Sequence, residues 1–315
     1  MCGGVFMVGE DRLIRMTLPV SKSQLPEKEI QIPVRGGTLS VHQYGKESNR
    51  PILAIHGVTS SNRAWQCLAG SLVPHGFTIY GVDLRGRGNS NILPGPFGMK
   101  THAEDMVAVI DFLKLEKIDV IGHSMGGFVT IALLGMFPTR VGQATLIDGG
   151  IPLAMPPGFT VEQILSIVLG PALERLSMTF PSKEAYRDYW KPQSAFAKGW
   201  NEVWDEYVDF DLKGIAPNLK PATNSKAVEE DSRDLFGDNL ISDTLKNLNR
   251  EVKFLRAVRG LQNEEIPLYP SVVLDQVLPT YPKIKVVTIE DTNHYDILIH
   301  QDGADKCAKE IYGVN

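Results

Sequence analysis

The stretch IGHSMGG at residues 121–127 sets Ser124 between Gly122 and Gly126. A serine hydroxyl is a weak nucleophile until a neighbouring base takes its proton. Such a serine has to be held clear of its own backbone, and the flanking residues show how. IDVIGH before it is an apolar run that reads as a strand, and FVTIALLGMF after it reads as a helix. A strand that turns sharply into a helix crowds its own backbone, so the residues beside the serine must lack bulk. The same turn lifts the hydroxyl above the sheet. At the amino end of the helix, unpaired N–H groups face outward and favour negative charge, and the N–H of Met125 is placed to receive an oxyanion. The G-x-S-x-G spacing alone is common by chance; its strand and helix flanks give it meaning.

An oxyanion needs a second donor, and a hydroxyl nucleophile needs a base. His56-Gly57-Val58 ends an apolar run (51–57), where the N–H of Val58 can face the same spot and Gly57 permits close approach. His56 itself reads as a residue that orders this loop. DTNHYDIL places His294 just after the last strand-like run, at the sheet edge expected for Ser124. Of the other histidines, His123 adjoins the serine and is expected to point away from it. His42, His75, His102 and His300 fall in strand, turn or surface-helix contexts.

The elements that must position these groups alternate regularly. IQIPV and LSVHQY, split by Arg35-Gly36-Gly37, read as a hairpin. Strands are expected at 51–57, 77–86, 118–124 and 143–150, with helices between them. One helix closes at Gly76, and another carries Met106, Val109, Ile110 and Leu113 at helical spacing. That alternation implies a mostly parallel sheet with helices on both faces. From residue 151 to about 250 it stops, in a block of helical character rich in Pro, Trp and Tyr. VKFLRAVRG and KVVTIEDTNH then resume the strands, and GADKCAKEIYG supplies a last helix. The expected organisation is an N-terminal extension (1–26), a core made of 27–150 and 251–315, and a helical cap, or lid, at 151–250. Long inserts at the carboxyl edge of such a sheet are where ligands usually bind.

Bulk properties narrow the function. The 315 residues are 43% hydrophobic and 22% charged, enough to bury a sizeable core. A net charge of −5 offers no basic footprint for nucleic acid. No apolar run reaches the roughly 18 residues of a membrane helix, and MCGGVFMVGEDRLIRM is a poor signal peptide. Cys2, Cys67 and Cys307 are few, odd in number and far apart, which favours reduced thiols in a cytoplasmic setting over a disulfide frame or a zinc site.

HGVTSSNRAW (56–65), DLRGRGNS (83–90), GHSMGG (122–127) and NHYDIL (293–298) together resemble the α/β-hydrolase superfamily, in its order and spacing over about 28–312. The resemblance is to the capped branch of esterases, lactonases and meta-cleavage-product hydrolases. It implies Ser124 as nucleophile, His294 as general base, the Val58 and Met125 N–H groups as oxyanion hole, and no metal or organic cofactor. Capped dehalogenases and epoxide hydrolases carry Asp where this chain has Ser124, which argues against both.

The third member of a triad departs from the pattern. The superfamily's usual acid position, set here by Gly260 and Pro267, falls on Asn263, which cannot carry the charge. Glu264 lies one residue later and needs a register slip. Asp148, in TLIDGG at the end of another strand, needs none and is preferred; in some capped relatives the acid sits there.

Tyr186, Trp190 and Trp200 are the candidate substrate-binding residues of an aromatic-rich block, although most of its rings are expected to be its own core. Asp205, Glu206, Asp209 and Asp211 would disfavour strongly anionic substrates if they face the pocket. The expected activity is hydrolysis of a carboxylic ester or lactone of a mostly apolar small molecule through an acyl-enzyme. C–C bond hydrolysis and a slow-turnover ligand receptor on the same scaffold are the alternatives. Neither nucleic acid nor membrane is an expected partner, and the expected state is a monomer or homodimer.

Overall fold

The computed structural model describes residues 22–155 and 158–314. Among the described residues one eight-stranded sheet carries the core, in the order β1-β2-β4-β3-β5-β6-β9-β10. The strands are β1 (Lys28–Val34), β2 (Gly37–Tyr44), β3 (Pro51–Ile55), β4 (Thr78–Val82), β5 (Ile118–His123), β6 (Val141–Ile147), β9 (Val252–Ala257) and β10 (Ile284–Ile289). β1 and β2 form the antiparallel hairpin, β2 pairs antiparallel to β4, and every other pairing is parallel. This is the α/β-hydrolase architecture that the sequence implies.

Helices α1 (Gln66–Leu72), α2 (Met99–Phe112) and α3 (Met125–Met136) connect the first strands, and α10 (Ser271–Val277), α11 (Asp296–Ile299) and α12 (Gln301–Tyr312) belong to the second half. They divide between two apolar clusters. α2 and α3 side chains pack in one, with Met106, Val109 and Phe128, and α1 and α12 side chains in the other, with Trp65, Leu68 and Cys307. α10 is absent from the sequence reading because QNEEIPLYP before it masks its short apolar face. Gly76 ends its helix in the left-handed region (φ 80°), as its type suggests.

Between β6 and β9, which are neighbours in the sheet, the chain leaves for a helical insertion. It comprises α4 (Val161–Leu169), α5 (Pro171–Glu174), α6 (Lys183–Trp190), α7 (Glu202–Asp211), α8 (Ser225–Arg233) and α9 (Asn239–Lys246), with a two-residue ladder of β7 (Leu212–Lys213) and β8 (Lys220–Pro221). Residues 1–21, most of the expected N-terminal extension, lie outside the described residues. Residues 22–26 run along the core. Gln24 N–H donates to the Gln66 carbonyl, and the Lys22 backbone lies against Gly70 of α1.

The tightest packing surrounds the β5–α3 turn. A methyl group on Gly122 would overlap the Gly126 carbonyl, one on Gly126 the Ile55 carbonyl, and one on Gly149 the Ser124 carbonyl. Gly126 has an ordinary helical backbone, so its requirement is steric. We expect Gly126→Ala to lose at least about 2 kcal/mol in urea unfolding, because the atoms it would meet, in Ile55 and His56, are backbone and not the yielding end of a side chain. A loss below about 0.5 kcal/mol would show that β3 and α3 can separate without cost.

Candidate active site

Ser124 stands at the end of β5 with φ 55° and ψ −124°, a backbone region that a non-glycine residue adopts only under constraint. Its N–H donates to the Ile147 carbonyl of β6, and its carbonyl accepts from Gly127 N–H. These bonds and the glycine contacts hold the turn. A Cβ on Gly57 would lie 3.0 Å from Ser124 Cβ and 3.4 Å from its Oγ, so the 56–58 loop passes directly beside the hydroxyl. Val58 and Met125, the expected oxyanion donors, are both buried on that boundary.

His56 orders this loop through both ring nitrogens. Nε2 accepts from the Leu84 N–H at 3.0 Å, so Nδ1 carries the proton and donates to the Gly57 carbonyl at 2.7 Å. Ser60 N–H donates to the same carbonyl. In a trans peptide the C=O and N–H point opposite ways. Anchoring the Gly57 carbonyl therefore fixes the direction of the Val58 N–H.

His294 follows β10 in the turn before α11. Its Nδ1 lies 2.7 Å from Asp148 Oδ2, with both residues buried. Asp148 ends β6 with φ 44° and is locked twice more. Its N–H donates to the Leu255 carbonyl, and its Oδ1 accepts from Ala257 N–H at 3.1 Å. Glu264, the other candidate acid, is turned into its own loop. Its Oε2 accepts from Gln262 N–H at 2.8 Å, beside Gly260. Asn263, at the usual acid position, has φ 62° and accepts from Arg259 instead. With Nδ1 of His294 committed to Asp148, Nε2 is the nitrogen left for chemistry.

His123 lies beside the candidate base. Its ring packs against that of His294 (centroids 4.7 Å apart), and its Nε2–H donates to the His294 carbonyl at 2.9 Å. Alternation along β5 sends residue 123 opposite to its neighbours, and His294 arrives on that side only in the folded sheet. His102 is no surface-helix residue: it is fully buried in α2, with Nε2 3.0 Å from Asp231 of α8.

The candidate substrate-binding aromatics divide. Tyr186 and Trp190 line a small cavity that reaches Thr59, Ser60 and Ser61 of the loop after β3 and Tyr295 beside His294. Tyr186 is fully buried, its hydroxyl shared between Arg175 and Asp211. Trp200 packs on Phe196 and donates to Asp205, outside that lining. The acidic group carries less free charge than its sequence suggests. Asp205 and Asp209 pair with Arg187, and Asp211 pairs with Arg175. Among the described residues no group of His, Cys, Asp and Glu could hold a metal ion, and Cys67 and Cys307 are buried free thiols. No described helix is long and apolar enough to cross a membrane.

Residues 50–172 match the family described as alpha/beta hydrolase fold. A serine hydrolase-like protein of Danio rerio is 28% identical over 136 residues, covering 42% of this chain and 41% of the relative. Serine hydrolase-like protein 2 of Homo sapiens is 24% identical over 243 residues, covering 74% and 76%. A probable alcohol acetyltransferase of Wickerhamomyces anomalus is 28% identical over 150 residues, 46% of this chain and 43% of that protein. The chain thus spans under half the length of two of these relatives. Among solved structures, E-2-(acetamidomethylene)succinate hydrolase superposes with a TM-score of 0.73 at 19% identity, covering 90% of this chain and 98% of that one. An esterase from Exiguobacterium antarcticum gives 0.65 at 18%, with the same coverage. Likeness at this identity shows the fold.

Burial lowers the His56 pKa to about 4 and holds that of His123 well below its usual value, so both are neutral in the folded protein. In the unfolded chain each takes a proton near pH 6.5. Below that pH the unfolded state binds more protons, so stability is full above about 6.5 and falls as the pH drops towards 4. From His56 alone we expect a loss on the order of 2 kcal/mol between pH 7.5 and pH 5 in urea unfolding. His56→Gln should flatten that slope. An unchanged slope would mean that the buried imidazole is protonated without penalty.

Proposed function

From the premise that this chain has the α/β-hydrolase fold, we propose that it is a serine hydrolase acting on a carboxylic ester or lactone of a mostly apolar small molecule. The carrying observation is the buried Asp148–His294 pair, 2.7 Å from oxygen to nitrogen, at the sheet edge where the β5–α3 turn presents Ser124. Ser124 Oγ attacks the carbonyl carbon while His294 Nε2 takes its proton. Asp148 holds Nδ1–H, which keeps the tautomer correct and stabilises the imidazolium that forms. The N–H groups of Val58 and Met125 hold the oxyanion. The imidazolium then protonates the departing alkoxide, leaving an acyl group on Ser124. Water, deprotonated by the same imidazole, releases the acid and regenerates the hydroxyl.

The serine hydrolase and esterase names among the relatives and neighbours support this reading at the level of hydrolase chemistry. The aromatic rings of Tyr186, Trp190, Phe196, Tyr207 and Tyr295 in the cavity beside Thr59–Ser61 support a mainly apolar substrate. The pairing of Asp211 with Arg175 removes the charge argument against anionic groups that the acidic residues raised.

A fluorophosphonate probe should label Ser124, read by peptide mapping, and Ser124→Ala should lower p-nitrophenyl ester turnover by at least about 10³-fold. Loss of only a few-fold would remove Ser124 as nucleophile. Asp148→Asn should cost on the order of 10⁴ in kcat, as loss of the orienting acid does in a serine protease, while Glu264→Gln should stay within about tenfold. That gap is about 4 kcal/mol in barrier. The reverse order would return the acid to the 260–267 loop.

A further inference from the structure

We propose that Arg175, in the helical insertion, is a positioning residue for the oxyanion loop, so that the insertion takes part in the chemistry as well as in covering the site. This rests on the serine hydrolase reading above. Three consecutive carbonyls of the loop are each held by a buried cationic or imidazole donor. Gly57 O accepts from His56 Nδ1, Val58 O from Arg87 Nε at 2.9 Å, and Thr59 O from Arg175 Nη2 at 2.9 Å. His56 belongs to the core. Arg87 also leaves the core but is ion-paired with Asp231 of α8 in the insertion. Arg175 lies wholly within the insertion, immediately after α5, and is 3% exposed.

The guanidinium of Arg175 is itself fixed. Asp211 Oδ2 lies 3.0 Å from Nη2, the Tyr186 hydroxyl 2.7 Å from Nε, the Ala172 carbonyl accepts from Nη1, and the Trp190 ring lies 5.2 Å from Cζ. Its planar fork can serve Asp211 and Thr59 O together, a geometry that a lysine ammonium does not reproduce. A second bond from the insertion, Tyr207 hydroxyl to Ser60 Oγ at 3.0 Å, meets the next residue of the loop. An oxyanion donor works by standing in place before charge develops. Anchoring the loop carbonyls from outside limits rotation of the peptide that carries the Val58 N–H. The charge of Arg175 is spent on Asp211, so its role is to hold the backbone and not to bind an anionic substrate.

Arg175→Lys keeps a cation for Asp211 and gives up the reach to Thr59 O; Tyr207→Phe removes only the second bond. We expect amide hydrogen exchange in residues 57–61 to quicken at least tenfold in Arg175→Lys while exchange in α12 stays unchanged. Alongside it, kcat on a p-nitrophenyl ester should fall at least tenfold with KM within threefold. Affinity for a trifluoromethyl ketone, whose adduct with the serine carries an oxyanion, should fall in proportion to kcat/KM. Tyr207→Phe should move all three in the same direction by a smaller factor. Unchanged exchange at 57–61, or a change in KM with kcat intact, would overturn the proposal and leave the insertion a cover. If the wild-type protein turns over no ester and takes no fluorophosphonate label, the serine hydrolase reading fails. Exchange at 57–61 then decides by itself whether Arg175 holds the loop.

Discussion

Everything at this site depends on backbones approaching without side chains between them. β3, β5 and the start of α3 meet where Gly122, Gly126 and Gly149 leave no room for a methyl group, and Ser124 is carried at φ 55° over that junction. Such a residue persists only where its surroundings over-determine it. Here the surroundings are the parallel ladder itself, since the Ser124 N–H extends the β5–β6 pairing to the Ile147 carbonyl. The position of the hydroxyl is therefore set by the central strands of the sheet, its least deformable part.

Around that turn stand three buried histidines with different tasks, distinguished by what each ring nitrogen touches. His56 faces a backbone N–H and a backbone carbonyl, and it shapes a loop. His123 faces the carbonyl of His294 and supports its ring. His294 faces a carboxylate, the one partner whose charge stabilises an imidazolium. Desolvation keeps His56 and His123 neutral, so neither competes for the proton that His294 would move.

The insertion is joined to the core by polar bonds as well as by apolar packing. Asn293 Nδ2, next to the candidate base, donates to the Ala195 carbonyl, and Phe196 and Trp204 contact the Tyr295 ring. Arg175 and Tyr207 reach the opposite loop. The insertion thus touches both loops that flank Ser124. Its large aromatics mostly pack on one another, as the run Tyr189, Trp190, Phe196, Trp200 and Trp204 shows. That is why aromatic content marked the block without singling out pocket residues.

The local pattern of the chain determined the strands, the interruption between β6 and β9, the turn at Ser124 and the placing of His294 after the last strand. Each is a matter of residue period or of glycine at a crowded backbone, and such signals lie within a few neighbouring residues. Only the tertiary structure shows which carboxylate, Asp148 or Glu264, 116 residues apart in the chain, meets His294, because that depends on which strand ends beside it. β6 and β9 are neighbours in the sheet, so Asp148 bonds to Leu255 and Ala257 and its carboxylate is brought to the imidazole. Glu264, on the loop after β9, is drawn back to the Gln262 N–H. The same limit hid the roles of His123, His102 and Arg175. Their partners are a carbonyl 171 residues away, a carboxylate 129 away and a carbonyl 116 away. No period along the chain records such a pairing, which exists only once the sheet and the insertion have closed around it.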